Sequence, residues 1–274
     1  MLRVRPILST SALDDHAALL SALGLGCTEN HTDWRVFDSG RGKVGLHRTA
    51  PGNDGGRQDT STADDGGRRD GSVQLGFEIR DRDIFVRRTL ADGTRAELLE
   101  TPHGPSARVT APDGFTFLAD PVVDPAVDPA NPGPGPNTAG PGPVNPHTRQ
   151  SSAVQNSPAR PGPPTVVQLW HTPDVDAARK VLADIGARLL PPRPDGTGGS
   201  RFQAKNGGLV EVHPGGVAGV GLCLEFPAEP AALKTWLTAA GLTAAPAPGP
   251  AGSSFRVHTP GGAAIWVRAG GFMG

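Results

Sequence analysis

A short hairpin is written twice in this chain, about 148 residues apart. "RVTAPDGFTFLAD" ends at Asp120 and "RVHTPGGAAIWVRA" begins at Arg256; Arg108, Val109, Pro112 and Gly114 recur as Arg256, Val257, Pro260 and Gly262. Each copy reads as a strand, a tight Pro/Gly turn and a second strand. A motif repeated at that distance implies duplication of a larger unit, and this constrains the fold more than composition does.

Two stretches are unsuited to a packed interior. Residues 51–71, "PGNDGGRQDTSTADDGGRRDG", lack any large apolar side chain, and residues 121–164 are dominated by Pro, Gly, Asn and Asp. Neither can bury enough apolar surface to offset its ordering entropy, so a mobile inserted loop and a Pro/Gly-rich linker are expected.

Four segments remain, about 1–50, 72–120, 165–217 and 218–270. In the first, "RPILST" is extended and "ALDDHAALLSALGLG" places Leu13, Ala17, Leu20 and Leu23 at helical spacing before a glycine stop. "WRVFDSGRGKVGLHRT" then reads as a hairpin. The third segment repeats the order: strand "TVVQLWHT", helix "DVDAARKVLADIG", and hairpin "RFQAKNGGLVEVHPGG" around Asn206-Gly207. "GKVGLH" matches "GLVEVH", with His47 and His213 in the same place. The second and fourth segments follow the same order and close on the repeated hairpin. Gly93 and Gly241, ending their helices, keep the same offset. The chain is therefore read as α+β: four βαβββ units paired into two domains, 1–120 and 165–274, joined by the linker 121–164.

At this point the sequence resembles the vicinal oxygen chelate (VOC) superfamily, which includes glyoxalase I, extradiol ring-cleaving dioxygenases and bleomycin-resistance proteins. The resemblance rests on the strand–helix order of every unit and on "APDGFTFLAD" and "TPGGAAIWVR", and it covers all but the loop and the linker. It implies glyoxalase-like domains whose mixed sheets curl into cups around a ligand. It also implies a divalent metal, held by residues at the start of each unit's first strand and near the end of its last.

Carried over by position, those places are Arg5, Gly45, Gln74 and Leu118 in the first cup, and Val167, Glu211, Leu222 and Trp266 in the second. Only Gln74 and Glu211 suit a metal. The expectation is accordingly no cofactor, with a divalent metal as the alternative. Alternation along a strand turns His47 the same way as Gly45, and His213 the same way as Glu211. Arg5, His47, Gln74, Glu211, His213 and Trp266 are the expected ligand-binding residues. His171 is expected to cap or pack at a strand-to-helix passage. Trp170 and Trp236 read as core, and Ile84, Phe85 and Leu90 as the inward face of a charged helix.

The net charge of −1 argues against a nucleic-acid or membrane-surface partner. Cys27 and Cys223 form no disulfide framework, and no segment has a signal or membrane-spanning pattern, so a cytoplasmic protein is expected, as monomer or homodimer. Three functions remain open. The first is a binding protein with metal-poor cups that holds a small organic molecule, in the bleomycin-resistance manner. The second is a glyoxalase- or dioxygenase-like lyase or isomerase with an atypical metal site around Gln74 and His47 or around Glu211 and His213. The third is a ligand-free pseudo-enzyme.

Overall fold

Each of the four units runs in the expected order in the computed structural model, which describes residues 1–50, 69–101, 104–122, 159–192, 199–247, 253–258 and 264–270. The loop 51–71 and the linker 121–164 lie, apart from their ends, outside the described residues. The first unit contains β1 (Leu2–Val4), β2 (Ile7–Thr10), α1 (Leu13–Ala22), β3 (Gly26–Asn30), β4 (Trp34–Asp38) and β5 (Lys43–Arg48). The second contains β6 (Val73–Gln74), β7 (Gly76–Ile79), α2 (Arg82–Ala91), β8 (Arg95–Thr101), β9 (Gly104–Thr110) and β10 (Thr116–Pro121). The third contains β11 (Thr165–Thr172), α3 (Val175–Asp184), β12 (Arg188–Leu189), β13 (Ser200–Gln203) and β14 (Leu209–Pro214). The fourth contains β15 (Gly219–Phe226), α4 (Pro230–Ala239), β16 (Thr243–Pro246), β17 (Ser254–His258) and β18 (Ala264–Ala269).

Local chemistry sets the helix ends. Asp81 and Asp174 accept the Ile84 and Ala177 N–H groups at 2.9 Å as N-caps, and Pro230 opens α4. After the four helices Gly24, Gly93, Gly186 and Gly241 adopt φ between 72° and 100°, the left-handed backbone that glycine takes without Cβ strain.

The third and fourth units form one eight-stranded sheet, β12-β13-β14-β11-β15-β18-β17-β16, joined by antiparallel pairing of their first strands. The first two units form sheets β3-β4-β5-β2-β6 and β1-β7-β10-β9-β8. Leu2–Ile79 and Ile7–Gln74 nevertheless pair in a single antiparallel register, so the division falls inside one long strand pair. The break falls where Arg5 faces Gly76: the Arg5 N–H donates to the Gly76 carbonyl at 2.9 Å, while the Gly76 N–H goes to Gln168 Oε1 at 2.8 Å. Gly76 approaches so closely that an added Cβ would lie 2.5 Å from the Arg5 carbonyl oxygen.

The repeated hairpin is β9–β10 and β17–β18. Leu118 opposes Arg108 as Trp266 opposes Arg256, so the sequence offset is also a structural equivalence. The second copy's turn lies outside the described residues.

One hydrophobic core runs through both halves, from Leu2 to Val267, and includes the helix-facing side chains of all four units. Trp170, fully buried, packs on Phe115 and Phe117 of the first half at ring-centroid distances of 5.2 and 6.1 Å. Trp236 is core as expected. On α2, by contrast, Ile84 and Leu90 are exposed and Phe85 only partly buried, while Val86 and Thr89 point inward. The apolar periodicity of this charged helix is too weak to fix its buried face.

The halves dock reciprocally. The turn of hairpin β4–β5 meets β11, where Arg41 accepts the Val166 N–H at 3.0 Å; the turn of β13–β14 meets β1, where Gly207 accepts the Val4 N–H at 3.0 Å. Gly42 and Gly208, at φ 112° and 88°, lie against Val166 and Val4, where a Cβ would come within 2.8 and 2.3 Å. Gln168, fully buried, accepts the Gly76 N–H at 2.8 Å and donates to the Gly76 carbonyl at 3.0 Å. Gln168→Ala strands that N–H in the interior, and urea unfolding should show a loss of about 1–3 kcal/mol.

His16, on α1, is buried with its Nδ1 2.9 Å from Thr10 Oγ1 and 3.2 Å from the Ala12 carbonyl. Burial holds its pKa below the usual histidine value. The unfolded chain therefore takes up the proton more readily, so stability is fully present above the unfolded value of about 6.5 and falls as pH drops below it. Urea midpoints measured from pH 8 to 5 should decline in that direction, less steeply for His16→Asn.

Candidate functional site

The side chains facing away from the shared core line the two cup faces. On the first sheet Arg5, Gly45, His47, Gln74 and Leu118 alternate with the core residues Val4, Val44, Leu46, Leu75 and Phe117. What fills this cup is a set of alternating charges. Arg5, 6% exposed, pairs with Asp120 and lies 3.7 Å from Glu78, which Lys43 also holds at 2.8 Å. The Arg5 guanidinium sits over the Trp34 ring at 5.5 Å, and the same indole stands edge-on to His47 at 6.4 Å. Trp34 also occupies the space above Gly45, where an added Cβ would meet the ring at 2.6 Å. Arg5, His47 and Gly45 thus gather around Trp34. Gln74 sits on the neighbouring strand, opposite Ile7.

The second cup has an apolar part and an ionic part. Val167, Leu209 and Cys223 are buried together, with Leu169, Leu190 and Trp266 packed against them. Leu222, placed in the cup by sequence, belongs instead to the shared core, and Cys223 takes the cup-facing place. The pairing of Val167 with Cys223 across β11 and β15 settles this one-residue register, which has no local sequence signal.

Beside the apolar part lies an ion cluster. Glu211, 1% exposed, receives two bonds from Arg268, at 2.9 and 2.6 Å, and lies 3.0 Å from Arg201. Glu225 takes a bond from each arginine, at 2.7 Å from Arg268 and 3.2 Å from Arg201. Burial opposes the charge of Arg268, but Cys223, Glu211 and Glu225 outweigh it, and its pKa is raised. His213 stands 3.5 Å from Glu211. His171 stacks on His213, ring centroids 5.3 Å apart. It does not cap: Thr172 Oγ1 accepts the Asp174 N–H at 3.1 Å, and Asp174 caps α3. Its parity with Val167 on β11 was the available signal that it faces the cup. Burial, with the nearby His213, lowers its pKa.

No family model matches the chain, and no curated protein matches it. Solved structures do. A variant of homoprotocatechuate 2,3-dioxygenase from Brevibacterium fuscum, in complex with HPCA, is 13% identical over 98% of this chain and 71% of that one, with a TM-score of 0.53. The 2,3-dioxygenase LapB from Pseudomonas sp. KL28 is 14% identical over 98% of this chain and 91% of that one, with a TM-score of 0.51. The chain has the vicinal oxygen chelate fold, in the arrangement of the extradiol ring-cleaving dioxygenases.

These neighbours correct one expectation. A protein without a cofactor was anticipated, whereas the fold it shares is that of dioxygenases, in which the resemblance implies a divalent metal in the cup. The residues at the carried-over positions do not fit such a metal as a set. In the first cup Arg5 is cationic and the space at Gly45 is taken by Trp34. In the second, Val167 and Trp266 are apolar and both oxygens of Glu211 are held by Arg268. Among the described residues no group of three or more His, Cys, Asp or Glu side chains is arranged around a common ion position. Among the same residues no helix is long and apolar enough to cross a membrane.

Glu211→Gln would leave two largely covered guanidiniums facing one carboxylate. Removing one partner of such a cluster costs about 3–5 kcal/mol, which urea unfolding should register.

Proposed function

We propose that the chain acts on a small organic molecule in its second cup, as a dioxygenase-like enzyme of the vicinal oxygen chelate fold with a divalent metal held by atypical donors around Glu211 and His213. The supporting observation is that Glu211, 3.5 Å from His213, lies opposite Leu169 of the apolar patch that includes Val167, Cys223 and Trp266. A planar ring would lie against Trp266 and the aliphatic side chains, with its polar substituents toward the charged end. The similarity to homoprotocatechuate 2,3-dioxygenase makes an ortho-dihydroxylated aromatic acid the first class to try.

Titration of the metal-supplemented protein with homoprotocatechuate, followed by calorimetry, should show saturable binding. Trp266→Ala should weaken it roughly tenfold, about 1.4 kcal/mol, while Trp34→Ala in the other cup leaves it unchanged. Oxygen uptake in the same mixture reports turnover. Absence of binding across a panel of dihydroxylated aromatics would end this reading.

One observation favours a second reading, retention of the molecule without turnover: Arg268 and Arg201 together engage both oxygens of Glu211. Saturable binding without oxygen uptake would select it.

A further inference from the structure

His171 and His213 lie in direct register on the parallel strands β11 and β14, both on the cup face and both at the strand ends. Parallel neighbours are about 4.8 Å apart, so the two imidazoles are held side by side by backbone, whatever their rotamers. His171 is exposed and His213 half-buried, so the pair opens to solvent. No side chain among the described residues hydrogen-bonds either ring, apart from the contact of His213 Nε2 with Glu211 Oε2 at 3.5 Å. That carboxylate lies behind His213 and is fixed by the arginines. A carboxylate in this place favours a proton on Nε2 and leaves the Nδ1 lone pair for a cation, the arrangement in which a metal-bound histidine donates its other N–H to an acid.

We propose that His171 and His213 form a two-imidazole site for a borderline divalent cation such as Zn²⁺, Co²⁺, Ni²⁺ or Cu²⁺, with Glu211 orienting His213 and water completing the coordination. The proposal rests on the atypical-metal reading above and gives it a location, at the strand ends just beyond the Leu169–Glu211 pair.

The spacing fits. A metal–nitrogen bond of about 2.0–2.1 Å puts the ion roughly 3.2 Å from each ring centre, and centres 5.3 Å apart then subtend about 110°, close to tetrahedral. The rings are near parallel, 26° between planes, so ligation needs a turn of His171 about its soft χ2. Exposure of that side chain allows it. Imidazole donors select late first-row ions over Mg²⁺ or Ca²⁺. Arg201 and Arg268, which hold Glu211, oppose a second cation and weaken its binding.

The test is titration of the full chain with Co²⁺, read by its visible d–d absorption, and with Cu²⁺, read by the nitrogen hyperfine pattern in electron paramagnetic resonance. The expected result is one equivalent bound with two-nitrogen ligation, reduced at least tenfold in affinity by His171→Ala and by His213→Ala alike. His47→Ala, in the other cup, serves as the control and should bind as the parent does. Circular dichroism of each variant separates loss of the site from loss of the fold. If His213→Ala abolishes binding while His171→Ala does not, the two-imidazole site is wrong and the atypical-metal reading survives. If the parent chain binds neither ion, both fall. Unaltered binding in both single variants places the metal elsewhere and overturns the proposal.

Discussion

Everything in this molecule hangs on two antiparallel pairings between first strands: β1/β2 with β6/β7, and β11 with β15. Each converts two small units, neither able to cover its own apolar face, into one sheet with helices on a single side. The reciprocal seating of each half's hairpin turn on the other's first strand then fixes how the two sheets meet. Gly42 and Gly208 make that approach possible twice over: any side chain would need an unfavourable φ and would strike a valine. The break in the first of these pairings belongs to the same junction: at Gly76 the buried amide of Gln168 supplies both a donor and an acceptor. A glutamine on the helix-facing side of β11 is tolerated because its amide both donates to and accepts from backbone of the other half.

The fold was legible because its signals are local. Helices that end on Gly24, Gly93, Gly186 and Gly241, and a hairpin repeated at a constant offset, can be read from a few residues at a time. Once the resemblance had put Gly45 and Glu211 in the cups, strand alternation turned His47 and His213 the same way for the same reason. What escaped depends on partners far away in sequence. The role of Gln168 exists only through Gly76, and the placing of Cys223 rather than Leu222 only through its register with Val167. On α2, Ile84 and Leu90 face solvent because the sheet beneath is contacted through Val86 and Thr89, which periodicity in a charged segment did not single out. His171 was read from its neighbours along the chain, as a capping or packing residue, whereas its partner is His213 on the adjacent strand.

The two cups show how one scaffold can be filled in opposite ways. In the first, the charges are interleaved across strands, Arg5 with Asp120 and Lys43 with Glu78, and Trp34 covers what a side chain at residue 45 would otherwise use. In the second, like is grouped with like: an apolar patch of Val167, Cys223 and Trp266, then a compact cluster of two arginines and two glutamates. Segregation of this kind suits an amphipathic ligand, since one end can be desolvated against the patch without separating any ion pair. In the interleaved cup a ligand would meet paired charges, Arg5 with Asp120 and Lys43 with Glu78, from the start.

Glu211 is the point at which the second cup's parts compete. Its oxygens satisfy Arg268, it stands 3.5 Å from His213, and it is nearly inaccessible to water. A carboxylate so placed cannot move toward a cation without uncovering a guanidinium in a poorly solvated site, which costs more than the new contact returns unless an anion takes its place. An anionic group on a bound molecule is the natural replacement: accepted by Arg268 and Arg201, it would free Glu211 to turn toward the histidines. Ligand and metal would then each favour the arrangement the other requires. Such coupling is reciprocal by thermodynamic necessity, so a metal that tightens binding of an acidic ligand must itself be held more tightly when that ligand is present.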